Sequence, residues 1–200
     1  MDAPQSLPEA APPDPFALLG LPRRFALDPK EADTALLRAS ARWHPDRFAL
    51  APEAERLAAE DRMAALNEAH RVIADPWSRA EALLRLEGLP LETGTDLRSS
   101  PEFLMEMMEL KEEAEEARRV GSAAVLDRLR RQLLEEERRR LQAFGEAWDA
   151  LPQKPGERRQ GLQELRALLN RVTYLRRTRQ EIEEALLPGG PHHAAPPPHE

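Results

Sequence analysis

The sequence contains no cysteine, which excludes disulfide staples, thiolate nucleophiles and any zinc or iron–sulfur centre held by the chain's own thiols. Aromatic residues supply only 4% of the chain and glycine nine positions. Strands favour aromatic and β-branched side chains, so this scarcity argues against sheets. A surplus of positive charge is missing too: the net charge of −7 argues against a general nucleic-acid scaffold, because phosphate binding needs a basic surface, and leaves room only for local basic patches. No uninterrupted apolar run approaches the ~20 residues of a membrane span. Met1 to Pro13 has neither an apolar signal-peptide core nor arginines, so a cytoplasmic location without membrane contact is the default expectation. No Gly-rich loop followed by lysine is present to cradle a nucleotide phosphate.

What remains is a chain with 32% charged and 41% hydrophobic residues, the composition of charge-laced helices. The expected fold class is all-α. Residues 1–13 and 188–200 are Pro/Ala-rich without periodicity, and are read as a disordered extension and a disordered tail. The tail histidines His192, His193 and His199 define no closed metal site and receive no role. Between the ends, 14–88 reads as one domain, 89–100 as a linker and 101–187 as a second domain.

In the first domain Asp14 caps a short helix that begins at Pro15 and ends at Gly20 and Pro22. Asp28, Pro29 and Glu31 open a second helix, whose Ala32, Leu36, Ala39 and Trp43 form a core stripe. Arg38 and Arg42 fall on the opposite side and face solvent or a partner. Pro45 is expected to stop this helix. A third helix runs from about Pro52 to Ala74 with Leu66, Ala69 or His70, and Ile73 inward. Asp75 and Pro76 cap a fourth helix through Leu86, closed by Gly88.

Three longer helices follow, at about 101–119, 122–151 and 157–187, broken by Gly121 and the PQKPG stretch. Short connections make neighbours antiparallel, so a three-helix bundle is economical; an extended coiled coil competes but lacks sustained heptads. Leu129, Leu133, Leu141, Phe144, Trp148 and Leu151 line the middle helix. Leu162, Leu165, Leu169, Val172, Leu175, Ile182 and Leu186 line the last. The first long helix is apolar on two sides. Phe103, Met107, Leu110 and Ala114 form one face, while Met105, Met108, Glu109, Glu112 and Glu116 lie nearly opposite. Core packing explains one side only. Leu104, Met105 and Met108 therefore either fill an inter-domain joint or form an adaptable binding patch rimmed by glutamates. Tyr174 projects about 150° from its helix's core stripe, so an exposed aromatic is expected there.

The tripeptide His44-Pro45-Asp46 admits several readings: a proton-transfer pair, two ligands of a metal, or a donor and an acceptor held by a stiff turn for another protein to recognise. No convincing further ligand set accompanies it, and no cofactor is expected.

Its setting resembles the J-domain family. DPFALLGL at 14–21 resembles that family's opening helix, WHPDRF at 43–48 its signature loop, and LNEAHRVIADPWSR at 66–79 its third helix and following cap. The resemblance implies that His44, Pro45 and Asp46 stimulate ATP hydrolysis by a DnaK-type chaperone, with Arg38, Arg42 and Arg47 as docking charges and no catalytic site in this chain. A merely solvated face is the alternative for Arg38 and Arg42. Trp43 stands where many relatives carry tyrosine, and His70 replaces another aromatic; both read as structural substitutions.

PEFLMEMMELKEEAEEA at 101–117 resembles the client-binding helix of HscB-type J-proteins of iron–sulfur cluster assembly. This implies that Leu104, Met105, Met108, Glu109, Glu112, Glu116 and Tyr174 contact the scaffold protein IscU, with HscA as the chaperone. The architecture so implied is an N-terminal J-domain helical hairpin joined to a C-terminal three-helix bundle. The absence of an N-terminal cysteine motif fits the bacterial form. A general protein-folding J-protein and a structural helical adaptor remain as rivals.

Overall fold

The computed structural model describes residues 12–91 and 101–187. The expectations for 1–11, 92–100 and 188–200, including the tail histidines and most of the linker, lie outside these. Among the described residues there are seven α-helices, one 3₁₀ turn and no strand, as the composition required. They fall into two compact units, which divide between Leu86 and Glu87.

The first unit contains α1 (Pro15–Leu19), α2 (Pro29–Ser40), the 3₁₀ turn (Pro45–Phe48), α3 (Glu53–Ala74) and α4 (Pro76–Leu86). One carboxylate oxygen of Asp14 accepts from the backbone N–H of Phe16 at 2.9 Å and of Ala17 at 3.2 Å. These are donors that a helix start otherwise leaves unsatisfied. Its other oxygen accepts from Arg23 at 2.7 Å. Gly20 ends α1 at φ 67, a left-handed conformation that costs glycine nothing. Helices α1, α2 and α4 and the 3₁₀ turn all pack on α3, around fully buried Phe16, Leu66, Ile73, Leu83 and Leu84. Arg79 enters this core with its charge used: Nε donates to the Ile73 carbonyl at 2.7 Å, Nη1 to the Phe25 carbonyl at 2.6 Å, and the guanidinium lies 5.5 Å from the Phe25 ring centroid.

Two details of α2 depart from the sequence reading. The helix ends at Ser40 rather than at Pro45, because its last carbonyls are satisfied locally: Ser40 Oγ donates to Leu37 O and the Trp43 N–H to Ser40 O. The expected stripe is also only partly core. Ala32 is buried together with Ala35, whereas Leu36, Ala39 and Trp43 are half-buried. The neighbouring α1 is only five residues long, too short to cover the whole length of that face.

The second unit contains α5 (Pro101–Arg119), α6 (Ala123–Asp149) and α7 (Pro155–Leu186). Helices α6 and α7 run antiparallel, as their end-to-end contacts show. Near their connection a Cβ on Gly161 would meet a Leu151 methyl at 2.7 Å. Farther along, Glu137 accepts from Arg179 at 3.0 Å. Glu137 is buried and also has Arg176 at 3.6 Å. Such a pair gains little net stability over apolar packing, but removal of one partner alone is costly. Helix α5 closes the bundle, with Phe103, Met107, Leu110, Ala114 and Ala117 buried against Leu126, Leu129 and Leu133 of α6 and Leu175 and Ile182 of α7.

Candidate functional site

His44 is the N-cap of the 3₁₀ turn, and its Nδ1 accepts from the Asp46 backbone N–H at 3.3 Å. In the neutral ring this leaves the Nε2 hydrogen free to donate outward. The side chains of His44 and Asp46 are 58% and 89% exposed, with Nδ1 3.5 Å from the carboxylate. The turn is braced from both ends: Trp43 and Phe48 stack with centroids 6.1 Å apart and ring planes 4° from parallel. A cleft of about 340 Å³ lies beside the turn, lined by Trp43, Asp46, Phe48 and Arg56 among others. The sequence thus builds a rigid, solvent-facing donor–acceptor display rather than an enclosed reaction centre. No group of three His, Asp or Glu side chains among the described residues could hold a metal.

Arg38, Arg42 and Arg47 are all exposed, but they are not equivalent. Arg47 reaches back to the Ala41 carbonyl at 3.4 Å, bracing the turn as well as charging it. Arg38 and Arg42 form no ion pair or hydrogen bond among the described residues. Sequence reasoning missed Arg62 of α3, which lines one cleft with them. Its spacing of four from buried Leu66 could have signalled a position at the edge of the packed face. It also missed Leu37, 74% exposed, although this residue falls about 140° from Ala32 on a helical projection. The Nε2 of His70 lies 2.8 Å from the Asp33 carboxylate and ties α3 to α2.

The second surface lies on α5. Leu104, Met105 and Met108 are 39%, 61% and 61% exposed, three apolar side chains at spacings of three and four that adjoin on a helix surface. Glu109, Glu112 and Glu116 are exposed along the same side, and Glu116 is held by Arg119 at 2.6 Å. Tyr174 requires a correction. Periodicity predicts an exposed ring, but it is half-buried against the bundle core. Its ring meets Phe103 edge-on at 6.1 Å, with the Lys111 ammonium 5.3 Å from its centroid. Phe103 itself lies near the guanidiniums of Arg140 and Arg171, at 5.2 and 5.9 Å. The single-helix projection failed because α5 packs on that side of α7 and widens the covered arc.

An all-helical chain of two units, one displaying a braced His-Pro-Asp turn and the other an apolar–acidic helix face, has the layout of a helical co-chaperone. Comparison with known proteins makes this specific. Residues 99–183 match the HSCB C-terminal oligomerisation domain. The co-chaperone HscB homolog of Azoarcus sp. (strain BH72) is 34% identical over 173 residues, 86% of this chain and 93% of that protein. The homolog from Cupriavidus taiwanensis is 39% identical over 137 residues, covering 68% and 78%. Among solved structures, HscB from Vibrio cholerae matches with 31% identity and a TM-score of 0.62 over 87% of this chain and 99% of that one. Human co-chaperone HscB shares the fold, with a TM-score of 0.73 at 22% identity, over 88% and 83%. The chain belongs to the HscB co-chaperone family.

Proposed function

We propose that this chain binds the iron–sulfur scaffold protein IscU through α5 and delivers it to the DnaK-type chaperone HscA, whose ATP hydrolysis it stimulates through His44, Pro45 and Asp46. It has no catalytic site of its own and acts without a membrane or nucleic acid. The observation that carries this reading is the pairing of two unlike displays on one HscB-family chain. The braced tripeptide offers a donor and an acceptor already in position, so recognition loses little ordering entropy. The methionine-rich patch with carboxylates beside it offers an adaptable apolar contact with charge to orient the client. Holding client and chaperone on one chain raises the effective concentration of each for the other.

The test is steady-state ATP hydrolysis by HscA with IscU present. His44→Gln removes the imidazole from an exposed turn and is expected to abolish stimulation while the helical content and IscU affinity stay at wild-type values. Full stimulation by a folded His44→Gln chain would overturn the proposal.

A further inference from the structure

The chain has no cysteine, so its five methionines carry all of its sulfur. Three of them follow one another closely on α5 and meet opposite fates. Met107 is 1% exposed in the bundle core, whereas Met105 and Met108 are each 61% exposed beside Leu104. A thioether packed in a core is shielded, but one in solvent is open to a two-electron oxidant. The surroundings make the product consequential. Glu109 and Glu112 stand one turn beyond Met105 and Met108 and are exposed, and ionised carboxylates only accept hydrogen bonds. Lys111, three residues from Met108, is already engaged: its ammonium lies 3.6 Å from the Glu181 carboxylate and 5.3 Å from the Tyr174 ring centroid. An oxygen added to either exposed sulfur would therefore gain a dipole with acceptors, not free donors, beside it.

We propose that Met105 and Met108 are an oxidation-sensitive pair that gates client binding: peroxide converts their thioethers to sulfoxides and closes the α5 face to IscU. The inference rests on the client-binding reading above and adds a chemical control of that surface. The step is a two-electron oxygen transfer. A sulfur lone pair attacks one peroxide oxygen, the O–O bond breaks, an S–O bond forms, and the other oxygen leaves as water once the proton has moved to it; sulfur is oxidised and peroxide reduced. The sulfoxide oxygen is a strong acceptor that a docked client would strip of water, and an unpaired buried acceptor disfavours the complex. Reduction by a thiol-dependent sulfoxide reductase removes that oxygen as water, turns two thiols into a disulfide and reopens the face. Buried Met107 keeps its thioether throughout, so the bundle stays folded while the surface changes character.

The experiment treats the full chain with dilute hydrogen peroxide, removes the oxidant with catalase, follows each methionine by mass spectrometry and titrates IscU by calorimetry. Met105 and Met108 are expected to gain oxygen at least about tenfold faster than Met107. Thermal unfolding should stay at the untreated temperature while IscU affinity falls about tenfold or more. Treatment of the oxidised chain with reductases for both sulfoxide epimers and a dithiol should restore binding. The double variant Met105→Leu, Met108→Leu keeps apolar side chains of similar volume and removes both exposed thioethers. Compared with itself before and after peroxide, its affinity should not change, although it retains Met63 and Met107. Undiminished IscU affinity of a chain oxidised at both positions would overturn the inference. So would an equal loss in the leucine variant, which would place the damage elsewhere. If the untreated chain fails to bind IscU, the reading of α5 fails and the inference with it, a result distinct from binding that peroxide leaves intact.

Discussion

Asp14 shows how much one side chain carries in a short helix. Partial burial pushes its carboxyl up, but the hydrogen bond from Arg23 and the N–H groups of Ala17 and Phe16 outweigh this and leave it below its ordinary value of 3.8. The folded state therefore releases this proton more readily than the unfolded chain. The resulting stabilisation is fully present above pH 3.8 and is lost as the pH falls through the lowered folded value. Asp14→Ala is expected to cost about 1 kcal/mol at neutral pH, and the difference from wild type should shrink towards about pH 2. Urea unfolding of both proteins at the two pH values measures it; a difference that does not depend on pH would assign the loss to packing instead of the charged cap.

At the scale of the element, α5 divides its two apolar faces between different tasks. Phe103, Met107 and Leu110 are buried in the bundle, whereas Leu104, Met105 and Met108 are exposed. Changing the latter three together to Ala should leave stability within about 0.5 kcal/mol for each and weaken IscU binding by about 2 kcal/mol or more. Tyr174 behaves differently, because it is packed on Phe103. Its replacement by Ala should lower the unfolding temperature as well as client affinity, since loss of an aromatic pair alone costs about 1 kcal/mol. Tyr174→Phe keeps that pair and should keep the stability. Thermal unfolding and calorimetry on the same proteins separate these contributions. Unfolding of the triple variant at wild-type temperature with full IscU affinity would remove α5 as the client face.

For the whole molecule, bivalence makes a prediction that neither unit makes alone. Excess His44→Gln chain should still capture IscU but fail to activate HscA, so it should inhibit stimulation by the wild-type chain in a concentration-dependent way. Addition of the Leu104, Met105 and Met108 substitutions to His44→Gln should abolish that inhibition. Stimulated ATPase rates across a titration of each variant give the answer; equal inhibition by both would mean that the client does not pass through α5.

The sequence by itself determined the local structure. Asp14, Asp28 and the prolines that follow them start helices, and glycines end them, because caps and backbone conformations depend only on neighbouring residues. It also determined which side of α5 is core, since Phe103, Met107, Leu110 and Ala114 repeat at helical spacing. The exposed His44 and Asp46 were legible for the same reason: a proline-stiffened turn after an amphipathic helix has few ways to hide. Tertiary structure decided what periodicity cannot carry. Tyr174 lost its expected exposure because Phe103 of α5, about seventy residues earlier in the chain, packs across that side of α7. Arg62 joined Arg38 and Arg42 because α3 lies against α2, and Glu137 was drawn into the bundle because Arg179 arrives from the facing helix. Each of these placements depends on residues distant in sequence, and the direction from which a neighbouring helix arrives is not written in either helix alone.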